Sequence, residues 1–452
     1  MNRIIFTSVL LACCITTTMQ AQAQDEIVLL RKELDQMRED YEARISALER
    51  RLKMAEDNVA LVVENTVAAK PAVPATTPIE VKPSAGINAF NPAIGVIFQG
   101  QVWAYDNDPE DYNIPGFPLG GESHPVAEGF SIGETEIDIS ANVDDKFAAW
   151  LTMSLVIEDG DAAVEIEEAW IETLSLPAGF SARFGRMFSS VGYLNEKHAH
   201  SWDFVDQPLA YKAFMGGQYI DDGVRLSWVA PTDLYIELGG EILRGDSYPF
   251  VGAGHSGFGT HTLHARFGGD VGFSHSWQAG ISYLSGMNEA RESGDEDDPL
   301  LFTGDTEVWI ADFVWKWSPN GNWKQRNFKF QFEYLQRSEK GMYFLPDSRE
   351  LPWNIDQDGW YAQAVYQFMP GWRLGARLEA LSSNDPAFAF NGTAPALAGS
   401  SPSRYSLMAD WSNSEFSRLR IQYTRDKAGA TDDNQWGLQY IFSIGAHGAH
   451  SF

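Results

Sequence analysis

From residue 87 onward the chain repeats one local pattern: apolar and polar residues alternate for about ten positions, and then a turn intervenes. In ETEIDISANV, Glu134, Glu136, Asp138 and Ser140 share one face, while Thr135, Ile137, Ile139, Ala141 and Val143 share the other. The same period of two runs through Phe147–Ile157, Val224–Trp228, Leu263–Phe267, Trp309–Trp317, Phe328–Tyr334, Trp372–Leu378 and Leu419–Tyr423. A run of about ten alternating residues suits a tilted strand crossing a bilayer. No stretch after the N-terminal segment is apolar for long enough to make a membrane helix.

The connections decide the architecture. Short turn signals fall at 143–146, 177–179, 231–233, 270–274, 319–322, 370–371 and 413–415. Longer connections are expected near 107–130, 159–163, 188–218, 245–260, 287–305, 339–357, 384–402 and 428–432. Seven turns and eight loops predict sixteen strands, with both ends of the barrel on the turn side. Alternation of short turns with long loops is the pattern of outer-membrane barrels, whose short turns are periplasmic. The fold class expected is therefore an all-β transmembrane barrel of about sixteen antiparallel strands over residues 87–452, preceded by an α-helical coiled-coil segment.

The end of the chain fits this reading. In NQWGLQYIFSIGAHGAHSF, Trp436, Leu438, Tyr440, Phe442 and Ile444 form a lipid face, and Gln435 and Gln439 face the interior. The closing strand must pair with the first. Phe452 is expected to act as a barrel-assembly signal read by the assembly machinery, with His447 and His450 at the periplasmic end. Tryptophans near strand ends, among them Trp103, Trp228 and Trp436, are expected in interfacial girdles.

Ahead of the barrel, residues 1–23 read as a secretory signal: Arg3, the apolar core 4–15, and Ala21-Gln22-Ala23 as the cleavage site. The two cysteines, Cys13 and Cys14, lie inside it, so cleavage after Ala23 leaves no thiol; a lipoprotein cut before Cys13 is the alternative. In 25–62, Ile27, Leu30, Leu34, Met37 and Tyr41 keep 3-4 spacing, and Ile45, Leu48, Leu52, Ala55 and Val59 resume it after a stutter. A narrow seam flanked by charge predicts a periplasmic parallel coiled coil and hence a homo-oligomer, a trimer being one candidate. The proline- and alanine-rich stretch 63–86 is a linker.

Several blocks resemble a known family: YLNEKHAHSWDFVDQPLAYKAFMGGQYIDDG (193–223), VAPTDLYIELG (229–239), GGDVGFSHSWQAG (268–280), ADFVWKWSPNGN (311–322), GWYAQAVYQFMP (359–370) and IGAHGAHSF. They look like those of Gram-negative outer-membrane porin-like proteins with an N-terminal coiled coil, often labelled zinc-regulated outer-membrane receptors or porins. The resemblance implies an outer-membrane location and an association with metal uptake. A more distant similarity is to phosphate-selective porins, from which this chain departs in lacking a lysine-rich lumen. Some relatives are labelled energy-coupled receptors, yet no plug domain precedes this barrel, and the residues after 86 are too few for about twenty-two strands.

A sixteen-strand barrel encloses an aqueous channel. Strand parity turns Glu134, Glu136, Asp138, Glu237 and Glu241 inward on early strands, and Arg373, Arg377, Arg418 and Arg420 inward on late ones. Opposed acidic and basic walls are expected, with a transverse field across the pore. The loop 188–218 is the candidate to fold inside as a constriction, carrying Glu196, Lys197, Asp203 and Asp206. His198 and His200, with Asp203, could hold a divalent cation such as zinc transiently, and His255, His261 and His264 extend the idea. The carboxylates of 290–299 read as a solvated rim that enriches cations, and the net charge of −29 argues against nucleic acid as a partner. No catalytic motif such as G-x-S-x-G or H-E-x-x-H is present, so no enzyme activity and no resident cofactor are expected. Two functions compete: a channel for small hydrophilic solutes, including divalent metal, and a structural anchor whose coiled coil, on the order of 57 Å long, reaches toward the cell wall.

Overall fold

One antiparallel sheet closes on itself, because its first and last strands pair along ten positions, from Gly95 opposite Gly445 to Ala104 opposite Trp436. The computed structural model describes residues 92–158, 161–252, 258–293, 299–346, 348–383 and 401–445. The predicted signal 1–23, coiled coil 25–62 and linker 63–86 lie outside these residues, as do His255, His447, His450 and Phe452. In chain order the strands are β1 (Ala93–Ala104), β2 (Gly129–Ser131), β3 (Thr135–Asn142), β4 (Phe147–Glu158), β5 (Asp161–Thr173), β6 (Phe180–Phe188), β7 (Ile220–Val229), β8 (Tyr235–Leu243) and β9 (Thr260–Val271). They continue as β10 (His275–Ser293), β11 (Leu300–Trp317), β12 (Asn327–Phe344), β13 (Glu350–Met369), β14 (Trp372–Ser383), β15 (Ser403–Ser414), β16 (Ser417–Asp426) and β17 (Asp433–Gly445). Both β2 and β3 pair with β1, so they are two segments of a single crossing. The barrel therefore has sixteen crossings, each hydrogen-bonded to its neighbour in sequence.

Alternation follows from the geometry of a strand, which turns successive side chains to opposite faces. On β15, Leu407 is 60% exposed and Ser406 is 1% exposed. On β17, Trp436, Leu438, Tyr440, Phe442 and Ile444 are exposed, while Gln435 and Gln439 are buried. Apolar outside and polar inside is the inverse of a soluble core and is stable where lipid meets the outer face. No helix among the described residues is long and apolar enough to cross a membrane; the crossing elements are strands. Trp103 departs from the expected girdle. It lies on the inward face, 4% exposed, and a Cβ on the facing Gly437 would come 2.8 Å from its ring. Glycine opposite Trp103 thus makes room for the ring beside the seam.

Strand length differs from expectation. β10 to β13 run for 19, 18, 18 and 20 residues rather than about ten. The connections expected at 287–305 and 339–357 are largely strand, and the one near 159–163 is short, since β4 ends at Glu158 and β5 begins at Asp161. The alternation that builds a membrane strand also builds a paired wall beyond the bilayer. A strand of that length spans roughly 60 Å, well over the bilayer's own thickness. The inward faces of these extensions carry their own small core of Leu300, Phe302, Tyr343, Leu345, Trp353 and Ile355.

A second, larger core lies inside the barrel. Ile114, Phe117 and Leu119 of the first long connection, Val191 to Tyr219 of the third, and Phe250 of the fourth pack against inward residues such as Leu284, Leu335 and Leu381. Of these, only the third connection is expected inside from its sequence. Apolar residues stranded in an otherwise polar external loop were the available sign for the first.

Candidate functional site

Between Phe188 and Ile220 the backbone leaves the barrel wall and crosses the lumen. It includes one 3-10 turn, Ala199–Ser201, and a helix α1 (Leu209–Met215) whose seven residues are all buried. A segment without strand partners must satisfy its polar groups elsewhere. Here side chains of the wall do so. The Glu333 carboxylate on β12 accepts the backbone N–H of Tyr193 and of Leu194, each at 3.0 Å, and the hydroxyls of Tyr211 (2.9 Å) and Tyr361. Glu379 on β14 accepts the N–H of Leu209 at 2.5 Å, at the positive end of α1. Gly216 ends that helix at φ 64°, a left-handed conformation that favours glycine, and a Cβ there would meet the Tyr248 ring at 2.5 Å.

The crossing segment meets the wall charge against charge. Glu196 pairs with Arg225 (2.8 Å) and Arg266 (2.7 Å), and Arg225 also holds Glu241 (2.7 Å). Asp203 pairs with Lys329 (3.0 Å) and Arg373 (3.1 Å). Asp206 pairs with Arg377 (2.7 Å) and with Arg404. Burial alone would raise these three carboxyls, but their cationic neighbours hold Glu196, Asp203 and Asp206 well below the usual carboxylate range. Burial works the other way on the lysines. It is the largest influence on Lys197 and on Lys212 and brings each down to about 8, although Glu196 and Asp206 respectively oppose it.

The histidines sit against the acidic side. His198 Nδ1 is 3.1 Å from Glu167 and its Nε2 is 3.1 Å from Glu168, while His200 Nδ1 is 2.8 Å from Glu136. Their rings stack with centroids 5.7 Å apart. Two consecutive glutamates reach one ring because β5 carries a bulge. Thr152 pairs with Glu168 and Met153 with Ile166, leaving Glu167 as the extra residue. A bulge redirects a side chain that strict alternation would send to the other face. Burial would lower the His198 pKa, but Glu136 and the hydrogen bonds to Glu167 and Glu168 raise it well above the ordinary value. Ligand atoms of Glu136, Glu167 and His198 all lie within 4.8 Å of one another. One nitrogen and two oxygens at that spacing fit the donor set of a divalent cation once the imidazole loses its proton.

The other named residues are placed as follows. Glu136, Asp138, Glu237, Glu241, Arg373, Arg377, Arg418 and Arg420 all lie on the inward face, and Glu134 lies half-buried between β2 and β3. Asp203 is not beside the histidines; its partners are Lys329 and Arg373. His261 and His264 cannot share a site. They are three apart on β9, and His261 is exposed on the outward face while His264 is 4% exposed on the inward one, 3.8 Å from Glu237. The acidic and basic walls are not bare. Arg183, Arg225 and Arg266 stand among the early acids, and Asp410, Glu379 and Asp426 among the late arginines. Glu167, Glu168, Lys329, Glu333, Glu379, Arg404 and Asp410 were missed, although parity alone turns Glu333 and Lys329 inward.

On the turn side of the crossing segment lies a cavity of about 1410 Å³. Its roof includes Tyr193, Lys197, His200, Trp202 and Asp203, and its rim is made by the turns at Asp270–Ser276, Ser318–Gly321 and Ser412–Ser417.

No family model matches the chain. An uncharacterized protein of Aquifex aeolicus (strain VF5) is 32% identical over 371 residues, which are 77% of this chain and 76% of that protein. Among solved structures, the outer-membrane channel DcaP of Acinetobacter baumannii superposes with a TM-score of 0.50 at 12% identity, covering 78% of this chain and 97% of that one. A loop-deletion mutant of OmpT, an outer-membrane protein of Vibrio cholerae, gives 0.48 at 11% identity over 78% of this chain and 99% of that one. An anion-selective porin from Comamonas acidovorans gives 0.46 at 9% identity, covering 78% and 99%. The likeness to the Acinetobacter channel is one of fold.

Proposed function

The chain belongs to the family of the Aquifex aeolicus protein, and we propose that it works as a porin-like channel for diffusion of small hydrophilic solutes across the outer membrane, by passage and not by catalysis. The observation that carries this reading is a closed barrel with apolar residues outside, charged residues inside, and one connection laid across the lumen. A structural anchor needs no polar interior and no segment crossing it. Planar-bilayer recording of the folded full chain tests the reading: discrete open-channel currents are expected, and a folded preparation that passes none sinks it.

The finer part of the proposal concerns divalent metal. Zinc on its way through is held at Glu136, Glu167 and His198, with His200 adjacent. His198 carries a proton that a metal must displace, so zinc affinity rises with pH. Zinc added to the bilayer chamber is expected to block current in the native protein. His198→Ala with His200→Ala abolishes the block; block of equal strength in that variant removes the metal site while leaving the channel.

A further inference from the structure

Two inward carboxylates stand side by side on the wall behind the crossing segment, and neither has a cation beside it. Asp312 on β11 is directly opposite Glu333 on β12, in a row that runs Arg266, Gly280, Asp312, Glu333, Tyr361 from β9 to β13. Glu333 is 0% exposed and its hydrogen bonds are complete. One oxygen takes the N–H of Leu194 and the Tyr361 hydroxyl, the other the N–H of Tyr193 and the Tyr211 hydroxyl. Gly192, at φ 65°, closes over it so tightly that a Cβ there would lie 2.5 Å from the carboxylate. Asp312 is the opposite case. It is 5% exposed, and neither of its oxygens has a hydrogen-bond partner. It lies over the bare backbone of Gly280, where a Cβ would collide with it. Among the described residues, no Lys, Arg or His nitrogen comes within 4.0 Å of either carboxylate. Arg266, beyond Gly280, is taken by Glu196 (2.7 Å) and by the backbone oxygens of Ser190 (3.1 Å) and Gly192 (3.3 Å).

Two buried carboxylates on paired positions do not both keep a charge cheaply. Each disfavours ionisation of the other, and neither has the cation that would offset its burial. Hydrogen bonding decides which one holds a proton. An ionised carboxylate only accepts, whereas a protonated one must also donate. Both oxygens of Glu333 are already filled by donors, so a proton there would displace one of them. Asp312 has no donor to lose. We propose that Asp312 is a positioning residue of the channel: un-ionised, it leaves Glu333 as the one charge that fastens Gly192–Leu194 to the wall, and on losing its proton to solvent it drives that stretch off. Repulsion between two anions here is relieved by admitting water or a counter-ion, and the stretch 192–194 is what covers the Glu333 side. Of the groups around the pair, Tyr211 of α1 and Tyr361 of β13 donate to Glu333 and bring no positive charge. Arg266 of β9 favours the ionised form, but it is committed to Glu196 and has Glu237 of β8 at 3.7 Å. His264 of β9 lies 3.8 Å from Glu237. The proposal rests on the channel reading for its effect on current, not for the proton or the release.

The test is infrared spectroscopy and hydrogen exchange on the folded full chain in neutral detergent. At about pH 6 the spectrum of the native protein minus that of Asp312→Asn should contain the carbonyl-stretching band of an un-ionised carboxylic acid, and at about pH 9 that band should be gone. Over the same interval the protection factors of the Tyr193 and Leu194 amides should fall by about tenfold or more in the native protein and in His198→Gln, and stay level in Asp312→Asn. Absence of the acid band from the difference spectrum overturns the proposal. So does a native-like loss of protection in Asp312→Asn, which keeps the shape of the un-ionised residue and does not ionise. Should that variant fail to fold, the native protein decides alone: loss of an acid band and loss of protection at 193–194 must share one midpoint, and protection that does not change overturns the proposal. Bilayer conductance of the same preparations separates the two readings. A native protein that shows the band and the release but passes no current leaves the switch and sinks the channel, whereas current without release at 193–194 sinks the switch alone.

Discussion

At the scale of single residues, His198 is held by three carboxylates. Its ring is held by Glu167 and Glu168 through both nitrogens, with the Glu136 carboxylate 3.4 Å away. A histidine whose folded pKa lies above its unfolded value of about 6.5 contributes stability that is full below that value. The contribution is lost as pH rises through the raised, folded value. The amides of 195–201 are therefore expected to show lower hydrogen-exchange protection factors at about pH 9 than at about pH 6, with the difference removed in His198→Gln. Protection that is the same at both values would show that the imidazolium does not anchor the segment. The residues around it were half legible in advance. Parity could turn Glu136 inward because strand geometry is local, but nothing local says which inward residue a distant loop will meet. Asp203 illustrates the limit: three positions from His200 in sequence, it binds Lys329 and Arg373 on strands more than a hundred residues away.

At the scale of elements, the bulge in β5 does what no single substitution could. It puts Glu167 and Glu168 on one ring, so removing the extra residue should restore plain alternation. A chain with Glu167 deleted is expected to fold and insert as the native protein does and to keep Glu168 on His198. Its pH dependence at 195–201 should shrink, and its zinc block should weaken by about tenfold or more, since one of three ligands is gone. Unaltered zinc block in the deletion variant would mean that Glu167 is not a ligand. Bulges were invisible beforehand because they interrupt alternation by one residue, which is indistinguishable from a charged residue on a wet strand. The lengths of β10 to β13 were invisible for the opposite reason. Their alternation does not stop at the membrane surface, so turn signals rather than hydropathy mark the true ends, at Ser293, Leu300, Phe344 and Glu350. The crossings themselves were readable because period two and short turns are both encoded within a few residues of each other.

At the scale of the whole molecule, stability depends on lipid outside and on a packed, charged interior. Leu407→Arg puts a charge on the outward face of β15 and is expected to cost about 2–4 kcal/mol of folding in vesicles if the site lies near the bilayer midplane. The inward neighbour Ser406, changed to Ala, loses only its hydroxyl bond to Thr424 and should cost about 1 kcal/mol, both variants being read by urea titration. A smaller penalty for the arginine than for the alanine would contradict the outward assignment. The pairing of β1 with β17 has a further consequence. The first strand waits, through the synthesis of everything between, for a partner that is made last. A barrel interrupted before residue 433 is not a slightly smaller barrel but an open ribbon with two raw edges, each a row of backbone groups that lipid cannot satisfy. Completion is thus all-or-nothing, and every truncated copy carries the same exposed edge of β1 by which a quality-control system could tell it from a finished one.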